Sequence, residues 1–278
     1  MPGELELLRR RGFTFDKAKG QNFLVDPGVA PRMARLCGAD KSCGVLEIGP
    51  GAGVLTRALA GVAGKVMAVE LDSRLLPVLE ETLAGLDNVT VVQGDILTLD
   101  LPALIGSHFG DMPVHVCANL PYYITSPIVM RLLESRLKPA SITVMVQKEA
   151  AQRLCAPMGT RTCGAVTAAV RYWAEPRMLF PVARGAFYPV PNVDSAVLRL
   201  VLRAAPPVEV ADEAFFFRLI RAAFGQRRKT AANAVSAGLG MEKPHVQAAM
   251  ERAGIVPNAR AENITLEGYA RLAGELGL

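Results

Sequence analysis

Residues 44–56 read GVLEIGPGAGVLT, and this stretch decides the fold. A short apolar run is followed by glycines at positions 49, 51 and 53 and then by a helical pattern. Glycine lets the backbone turn sharply and approach a ligand closely where a strand passes into a helix. The stretch therefore predicts a buried strand, a ligand-binding turn and a helix of an α/β fold.

The same alternation of apolar runs and helical patterns continues through the first half of the chain. The runs are short and rich in β-branched residues, as expected of parallel strands that are buried on both faces. They cover residues 44–49, 65–71, 89–95, 114–120 and 142–147. Helical patterns over 54–63, 73–86 and 126–137 lie between them. This order predicts an α/β protein with a doubly wound, mostly parallel sheet.

The pattern changes after Gln147. Residues 164–174 fit a helix or a strand, and residues 185–202 end in an alternating strand. Pro206 and Pro207 then mark a boundary, after which only helical patterns follow, one of them over 227–237. The predicted parts are a basic N-terminal arm over 1–24, the α/β domain over 25–205 and a small all-helical C-terminal domain over 208–278.

Composition narrows the class of protein. The 278-residue chain has a net charge of +5, with basic clusters at 9–11 and 226–230, which fits a polyanionic partner. Its five cysteines form no CxxC pair and its three histidines have no metal-ligand spacing, so we expect reduced thiols and no metal site. An apolar run of roughly 18 residues and a secretory signal are both missing, which predicts a cytoplasmic protein without a membrane span.

Three acidic residues accompany the glycine turn. Glu70 ends the second predicted strand, where a carboxylate can accept the ribose hydroxyls of a nucleoside. Glu47 precedes Gly49, and a carboxylate there suits a cationic ligand better than a pyrophosphate. Asp95 follows the third strand, where an adenine amino group could donate to it. The set favours S-adenosylmethionine over a nicotinamide dinucleotide, and a tight turn without any ligand is the alternative.

A second motif, NLPYYITSP, covers residues 119–127 at the end of the fourth predicted strand. The side chain of Asn119 and the carbonyl of Leu120 can accept hydrogen bonds from an exocyclic base amine, which localises its lone pair. Pro121 fixes the turn, and Tyr122 can stack on a flipped base. Positioning would then carry the catalysis, without a strong general base. The alternative is a turn that caps the next helix through Thr125 or Ser126.

The sequence resembles the adenine dimethyltransferases of small-subunit ribosomal RNA over essentially its whole length. The matching segments are GQNFLVD (20–26), LEIGPGAGVLT (46–56), VELD (69–72), QGD (93–95), NLPYYITSP (119–127), QKEAAQRL (147–154), FYPVPNVDSAVLRL (187–200), AFGQRRKTAANAV (223–235) and RAENIT (260–265). The resemblance implies a Rossmann-like methyltransferase domain that uses S-adenosylmethionine. It also implies dimethylation of the 6-amino group of two adjacent adenosines, in a loop near the 3′ end of small-subunit ribosomal RNA, during ribosome biogenesis. The implied partner is this RNA or the immature small subunit, and we expect a monomer.

The resemblance assigns further residues to the site. The cofactor contacts fall on Asn22, Leu24, Gly49, Glu70, Asp95 and Asn119. Phe187 matches an aromatic residue that faces Tyr122 across the target base, with core packing as the alternative. Arg227, Arg228 and Lys229 are predicted to contact RNA phosphates, with a solvated helix face as the alternative. Tyr123 departs from the family pattern, since many relatives have a polar residue there.

Two other functions fit the same fold. One is an adenine methyltransferase of large-subunit ribosomal RNA, of the type that confers antibiotic resistance, which shares the glycine turn and the NLPY element. The segments QRRKT (226–230) and RAENIT (260–265) favour the small-subunit enzyme. The other is an RNA-binding ribosome-assembly or transcription factor without catalysis. The intact residues Gly49, Glu70, Asp95 and Asn119 disfavour it.

Overall fold

The computed structural model describes residues 4–14, 21–135 and 137–277. Nine strands are found in these ranges: β1 (Phe23–Leu24), β2 (Gly44–Ile48), β3 (Lys65–Glu70), β4 (Val89–Gln93), β5 (Val114–Asn119), β6 (Ser141–Gln147), β7 (Ala174–Val182), β8 (Phe187–Tyr188) and β9 (Ser195–Leu202). The helices there are α1 (Glu4–Arg10), α2 (Val29–Leu36), α3 (Val54–Val62), α4 (Leu76–Thr82), α5 (Leu101–Phe109), α6 (Thr125–Glu134), α7 (Lys148–Cys155), α8 (Ala165–Trp173), α9 (Glu213–Phe224), α10 (Ala231–Leu239), α11 (Lys243–Arg252) and α12 (Leu266–Leu276).

Seven strands form one sheet in the order β4-β3-β2-β5-β6-β9-β7. The strands from β4 to β6 in this order are parallel, and β9 runs antiparallel to β6. This confirms the predicted doubly wound, mostly parallel sheet. The chain builds β3 and β4 on one side of β2 and then returns to place β5 on the other side. Ligands bind outside the carboxyl ends of the strands at such a switch point.

The turn after β2 shows why the sequence needs glycine there. Gly53 immediately precedes α3 and has a left-handed backbone with a φ of +86°. A Cβ atom at this position would lie 2.9 Å from the Thr82 hydroxyl oxygen. An L side chain would therefore be both strained and crowded, whereas glycine allows α3 to begin directly above the sheet.

Two predicted helices begin later than their sequence patterns suggest. The pattern over 73–86 starts as a 3-10 turn, and α4 begins at Leu76 with Pro77 in its first turn, where a missing N–H costs nothing. The pattern over 227–237 forms α10 only from Ala231, because the Thr230 side chain caps it by accepting from Asn233 N at 3.4 Å. The basic residues 227–229 therefore lie in a turn rather than on a helix face.

The described chain divides into two compact units. The first comprises the residues up to Ala151 together with 177–202, and the second comprises 152–176 together with the residues from Arg203 onward. This division differs from the predicted boundaries, because residues 152–176 join the helical unit. The cause is α8, whose Tyr172 ring lies 5.4 Å and 5.2 Å from the rings of Phe216 and Phe217 on α9.

The N-terminal segment is built into the first unit. Leu7 and Leu8 of α1 are buried in one apolar cluster with Phe23, Ala52 and Leu75. Both leucines lie on one face of the helix, whose other residues are charged or partly exposed. Among the residues that the structure describes, no helix has the length and apolar character needed to cross a membrane.

Candidate active site

A cavity of about 620 Å³ opens at the carboxyl ends of β2, β3 and β5, in the first unit. All six residues predicted to contact a cofactor line it: Asn22, Leu24, Gly49, Glu70, Asp95 and Asn119. Five further residues of the second motif line it as well: Leu120, Pro121, Tyr122, Tyr123 and Ile124. The structure thus brings the glycine turn and the NLPY element together around one space of the size that small ligands occupy.

The floor of the cavity is the turn after β2 with Glu70 beneath it. Glu70 is 5% exposed; its Oε2 accepts from Gly51 N at 3.2 Å and its Oε1 from Asp72 N at 2.8 Å. Burial raises the pKa of Glu70, and the two backbone donors oppose this shift. Each carboxylate oxygen keeps a second lone pair, so Glu70 can still accept two hydroxyl donors from the cavity.

Asp72 ties the segment before β1 to the end of β3. Its Oδ2 accepts from Gln21 Nε2 at 3.0 Å, and its Oδ1 accepts from Arg74 Nε at 2.9 Å. The guanidinium of Arg74 holds the pKa of Asp72 well below its usual range. This contact places Asn22, the next residue after Gln21, on the cavity wall.

Glu47 is the most deeply buried acid of the site. It is 1% exposed, and among the described residues its Oε2 has no hydrogen-bond partner. Burial raises its pKa to about 8. The carboxyl is therefore neutral at neutral pH in the free protein, where the sequence suggested a standing negative charge. A cation entering the cavity would favour the ionised form.

Asn119 stands at the last position of β5 and is half-buried. Its Nδ2 lies 3.5 Å from the carbonyl oxygen of Asn22, which is a weak contact. The backbone beyond it is fixed, since Leu120 N donates to Met145 O at 3.1 Å and the Thr125 hydroxyl donates to Pro121 O at 3.2 Å. The side-chain oxygen of Asn119 is thus the acceptor that this strand end presents.

The two tyrosines of the motif differ in their surroundings. Tyr122 is half-buried, and its hydroxyl lies 2.7 Å from the Ser195 hydroxyl. Burial raises its pKa. Tyr123 is 55% exposed. The alternative of a capping turn is wrong in its detail, because α6 begins at Thr125 without a side-chain cap and Thr125 bonds back to Pro121 instead.

Comparison with known proteins connects this geometry to a family. The family model described as ribosomal RNA adenine dimethylase matches residues 12–277. The chain belongs to the ribosomal RNA adenine dimethylase family. The resemblance noted from the sequence motifs is therefore confirmed.

Individual relatives agree with this assignment. The chain is 46% identical to the ribosomal RNA small subunit methyltransferase A of Geobacillus thermodenitrificans over 275 residues, which cover 98% of this chain and 94% of that protein. The protein of the same name from Moorella thermoacetica is 46% identical over 281 residues, with 99% and 97% covered. Among solved structures, the 23S rRNA methyltransferase ErmE is 31% identical with a TM-score of 0.68, covering 92% of this chain and all (100%) of that one.

One family residue lies elsewhere than predicted. Phe187 is 1% exposed, belongs to the same apolar cluster as Met33 and Val182, and does not line the cavity. The reason is the pairing of β8 with β1, in which Leu24 lies opposite Phe187. The structure therefore places Phe187 in the core, as in the core-packing alternative, and its role opposite Tyr122 stays a prediction.

The predicted RNA-contacting cations lie in the second unit. Arg227, Arg228 and Lys229 are exposed in the turn between α9 and α10, and Arg227 Nη2 is 3.4 Å from the carbonyl oxygen of Arg161. They do not belong to the lining of the cavity. No structural observation tests their contact with RNA, which stays a prediction.

Sequence reasoning missed several apolar residues of the site, and two of them directly follow strand-end acids. Leu71 lines the cavity although it is 52% exposed, and Ile96 lines it while 5% exposed. Each directly follows one of the acids that the sequence singled out, Glu70 and Asp95. An apolar residue after each strand-end acid is the signal that could have predicted both.

Proposed function

We infer that this protein is an RNA adenine dimethyltransferase that modifies the 6-amino group of two adjacent adenosines in small-subunit ribosomal RNA. The observation that carries this is the cavity in which Asn119, Pro121 and Tyr122 face the glycine turn and Glu70. The relatives named for small-subunit RNA are 46% identical, whereas ErmE, named for 23S rRNA, is 31% identical. The large-subunit alternative is therefore not favoured.

The methyl donor that we propose is S-adenosylmethionine, which supplies an electrophilic methyl group when bound. The residues present fit it. Glu70 has two oxygens that can accept ribose hydroxyls, and Asp95 lies where an adenine amino group can donate. The Oε2 of Glu47, which has no hydrogen-bond partner in the described part of the chain, suits the positively charged end of the molecule.

Leu71 and Ile96 complete the proposed cofactor site. Both are apolar, both line the cavity, and each follows the acid of its own strand. We assign them the two faces of the cofactor's adenine ring, since planar apolar ligands are held between hydrophobic side chains with a few polar groups at their edges. Asn22 and Leu24 would close the same site from the segment before α2.

The target adenine is held by the NLPY element in this proposal. The Asn119 side-chain oxygen and the Leu120 carbonyl accept the two N–H groups of the 6-amino group, which draws its lone pair out of conjugation with the ring. Tyr122 stacks on the flipped base and replaces part of the stacking that the base loses. The methylated amine then releases its proton to water, so the residues contribute positioning and electrostatics rather than a strong base.

RNA binding is assigned to exposed cations. Arg227, Arg228 and Lys229 are three consecutive exposed cations outside the cavity and would contact phosphates. Such contacts recognise shape and charge, while the flipped base supplies the local specificity. The proposed partner is the immature small ribosomal subunit, and the protein would act there as a cytoplasmic monomer.

The function is tested with S-adenosylmethionine that carries a labelled methyl group. The purified protein is incubated with undermethylated small subunits, with free small-subunit RNA and with large-subunit RNA. We expect label in dimethyladenosine of the small-subunit samples. Label that appears only in large-subunit RNA would contradict the proposed substrate, and binding of RNA without any label would favour the assembly-factor alternative.

A further inference from the structure

One hydrogen bond joins the proposed base-stacking residue to a distant strand. The Tyr122 and Ser195 hydroxyl oxygens lie 2.7 Å apart, although the residues are 73 positions apart in the sequence. Ser195 is fully buried at 0% exposure and is the first residue of β9. In the sheet, Ser195 of β9 pairs with Gln147 at the end of β6. Two residues earlier on β6, Met145 pairs with Asn119 of β5, so Ser195 and Asn119 lie at the same end of the sheet.

We propose that Ser195 is a positioning residue for methyl transfer, whose hydroxyl fixes the ring of Tyr122 at the angle needed to stack on the target adenine. The proposal rests on the proposed function of Tyr122. Ser195 itself does not line the cavity, so it acts on the base only through Tyr122.

The backbone around Ser195 is held well enough to serve as an anchor. The Asp194 carboxylate Oδ1 accepts from Arg184 N at 3.0 Å, and the Asp194 carbonyl accepts from Lys148 N at 3.0 Å. Asp194, the residue directly before Ser195, is thereby tied to the turn before β8 and to the start of α7. The Ser195 hydroxyl consequently has a defined position relative to the sheet.

The neighbouring tyrosine shows what the anchor contributes. Tyr122 is half-buried with its hydroxyl bonded, whereas Tyr123 is 55% exposed. A tyrosine ring has two side-chain torsions, and a bond at its far end restricts both of them. Because the ring is already ordered in the free protein, its side chain loses little further conformational entropy when the base stacks on it.

A purely structural role is the competing explanation, because a buried hydroxyl needs a partner wherever it lies. Ser141 provides the matched control. It is also fully buried at the start of a strand, and its hydroxyl donates to the carbonyl of Cys37 at 2.8 Å and lies 2.8 Å from His115 Nδ1. Ser141→Ala removes buried hydrogen bonds of a serine hydroxyl without touching Tyr122.

The test is a double-mutant cycle of Ser195→Ala and Tyr122→Phe, measured as single-turnover methylation of undermethylated small subunits. We expect each single variant to lower the rate about 5- to 10-fold, as for the loss of one neutral hydrogen bond, with cofactor affinity unchanged. The double variant should be no slower than either single one. Ser141→Ala should lower the melting temperature while it keeps the wild-type rate.

The outcomes separate this proposal from the proposed function. A wild-type rate for Ser195→Ala, or rate losses that multiply in the double variant, would overturn the positioning role while adenine methylation itself stands. Absence of methylation by the wild-type protein would instead contradict the proposed function.

A second readout is the fluorescence of 2-aminopurine placed at the target position of an RNA hairpin. Wild-type protein should quench it by stacking, and Ser195→Ala should quench it less.

Discussion

At the scale of single residues, the site depends on what each side chain can accept or donate at a fixed place. Asn119 ends a buried strand, and its amide nitrogen makes only a 3.5 Å contact with Asn22 O. The strand and the 3-10 turn after it hold the backbone on both sides of this residue. The amide oxygen is therefore positioned before the substrate arrives, which is the condition for catalysis by positioning.

Asn119→Ala should abolish methyl transfer, with a loss on the order of 100-fold or more, because a preorganised acceptor at the reacting group is removed. RNA affinity should change little, since the proposed phosphate contacts involve other residues. Single-turnover methylation and filter binding measure the two quantities. Asn258→Ala, at an exposed position of the second unit, is the control and should keep both. Full turnover by Asn119→Ala would exclude the acceptor role.

Glu47 gives the protein a pH-dependent stability. Its pKa in the folded state is raised to about 8 from the ordinary 4.5, so between these values the folded state binds more protons than the unfolded state. The free energy of unfolding therefore falls as pH rises through this window, by up to about 1.4 kcal/mol per pH unit from this group. Glu47→Gln should flatten that fall, as measured by urea unfolding between pH 5 and pH 8. If the free energy of unfolding fell with pH equally steeply in the wild type and in Glu47→Gln, a neutral Glu47 would be contradicted.

At the scale of elements, α1 and the strand pairing of the N-terminal segment shape the cavity. Leu5 and Leu8 of α1 line it, and two exposed ion pairs hold this part of the chain: Arg10 and Arg11 both contact Glu81, at 2.6 Å and 2.8 Å. Glu4 also pairs with Arg57 at 3.6 Å. Helix α1 thus covers one side of the proposed cofactor site.

Glu81→Gln should speed cofactor release, because it weakens both arginine pairs that hold the end of α1. Exposed pairs contribute only about 0.2–1 kcal/mol each, so we expect a few-fold increase in the dissociation rate. Stopped-flow measurement of cofactor release, repeated at rising salt, should show that the variant is less salt-sensitive than the wild type. Glu275→Gln breaks the exposed pair with Arg252 at 2.6 Å and should leave release unchanged. Unaltered release in Glu81→Gln would mean that these pairs do not restrain α1.

Sequence patterns predicted the central elements well and the long-range contacts poorly. The five parallel strands were predicted to within one or two residues, because continuous apolar runs mark strands buried on both faces. Helices α1, α2 and α5 were missed, and residues 164–174 stayed ambiguous between helix and strand. The burial of Phe187 and the bond between Tyr122 and Ser195 depend on strand pairing between distant segments, which no local pattern encodes. The neutral state of Glu47 likewise requires knowing its burial.

At the scale of the whole molecule, the proposed catalytic site and the proposed RNA-contacting cluster lie in different units. The cavity lies entirely in the first unit, and the cluster of Arg227, Arg228 and Lys229 lies in the second. Chemistry and electrostatic attraction of RNA are thus assigned to different parts of the chain.

Replacing Arg227, Arg228 and Lys229 with alanine should weaken RNA binding and leave cofactor affinity unchanged. Each lost phosphate contact reduces the magnitude of the slope of log affinity against log salt concentration by about one. For the triple variant this magnitude should therefore be smaller by up to about three. Binding of a small-subunit RNA fragment across a salt series gives this slope, and calorimetry gives cofactor affinity. An unchanged slope would show that these residues face solvent only.

The path of the chain between the two units limits how such a protein can be rearranged by recombination. The chain leaves the first unit after Ala151, returns at Arg177 and leaves again after Leu202. A single crossover at Pro206 would therefore bring in a foreign helical tail but retain the native α8. The rings of Tyr172 and Trp173 would then have lost Phe216 and Phe217, their aromatic partners on α9. Exchange of the whole helical unit between relatives thus requires three matched breakpoints, after residues 151, 176 and 202, and its tail and its inserted segment must be inherited together.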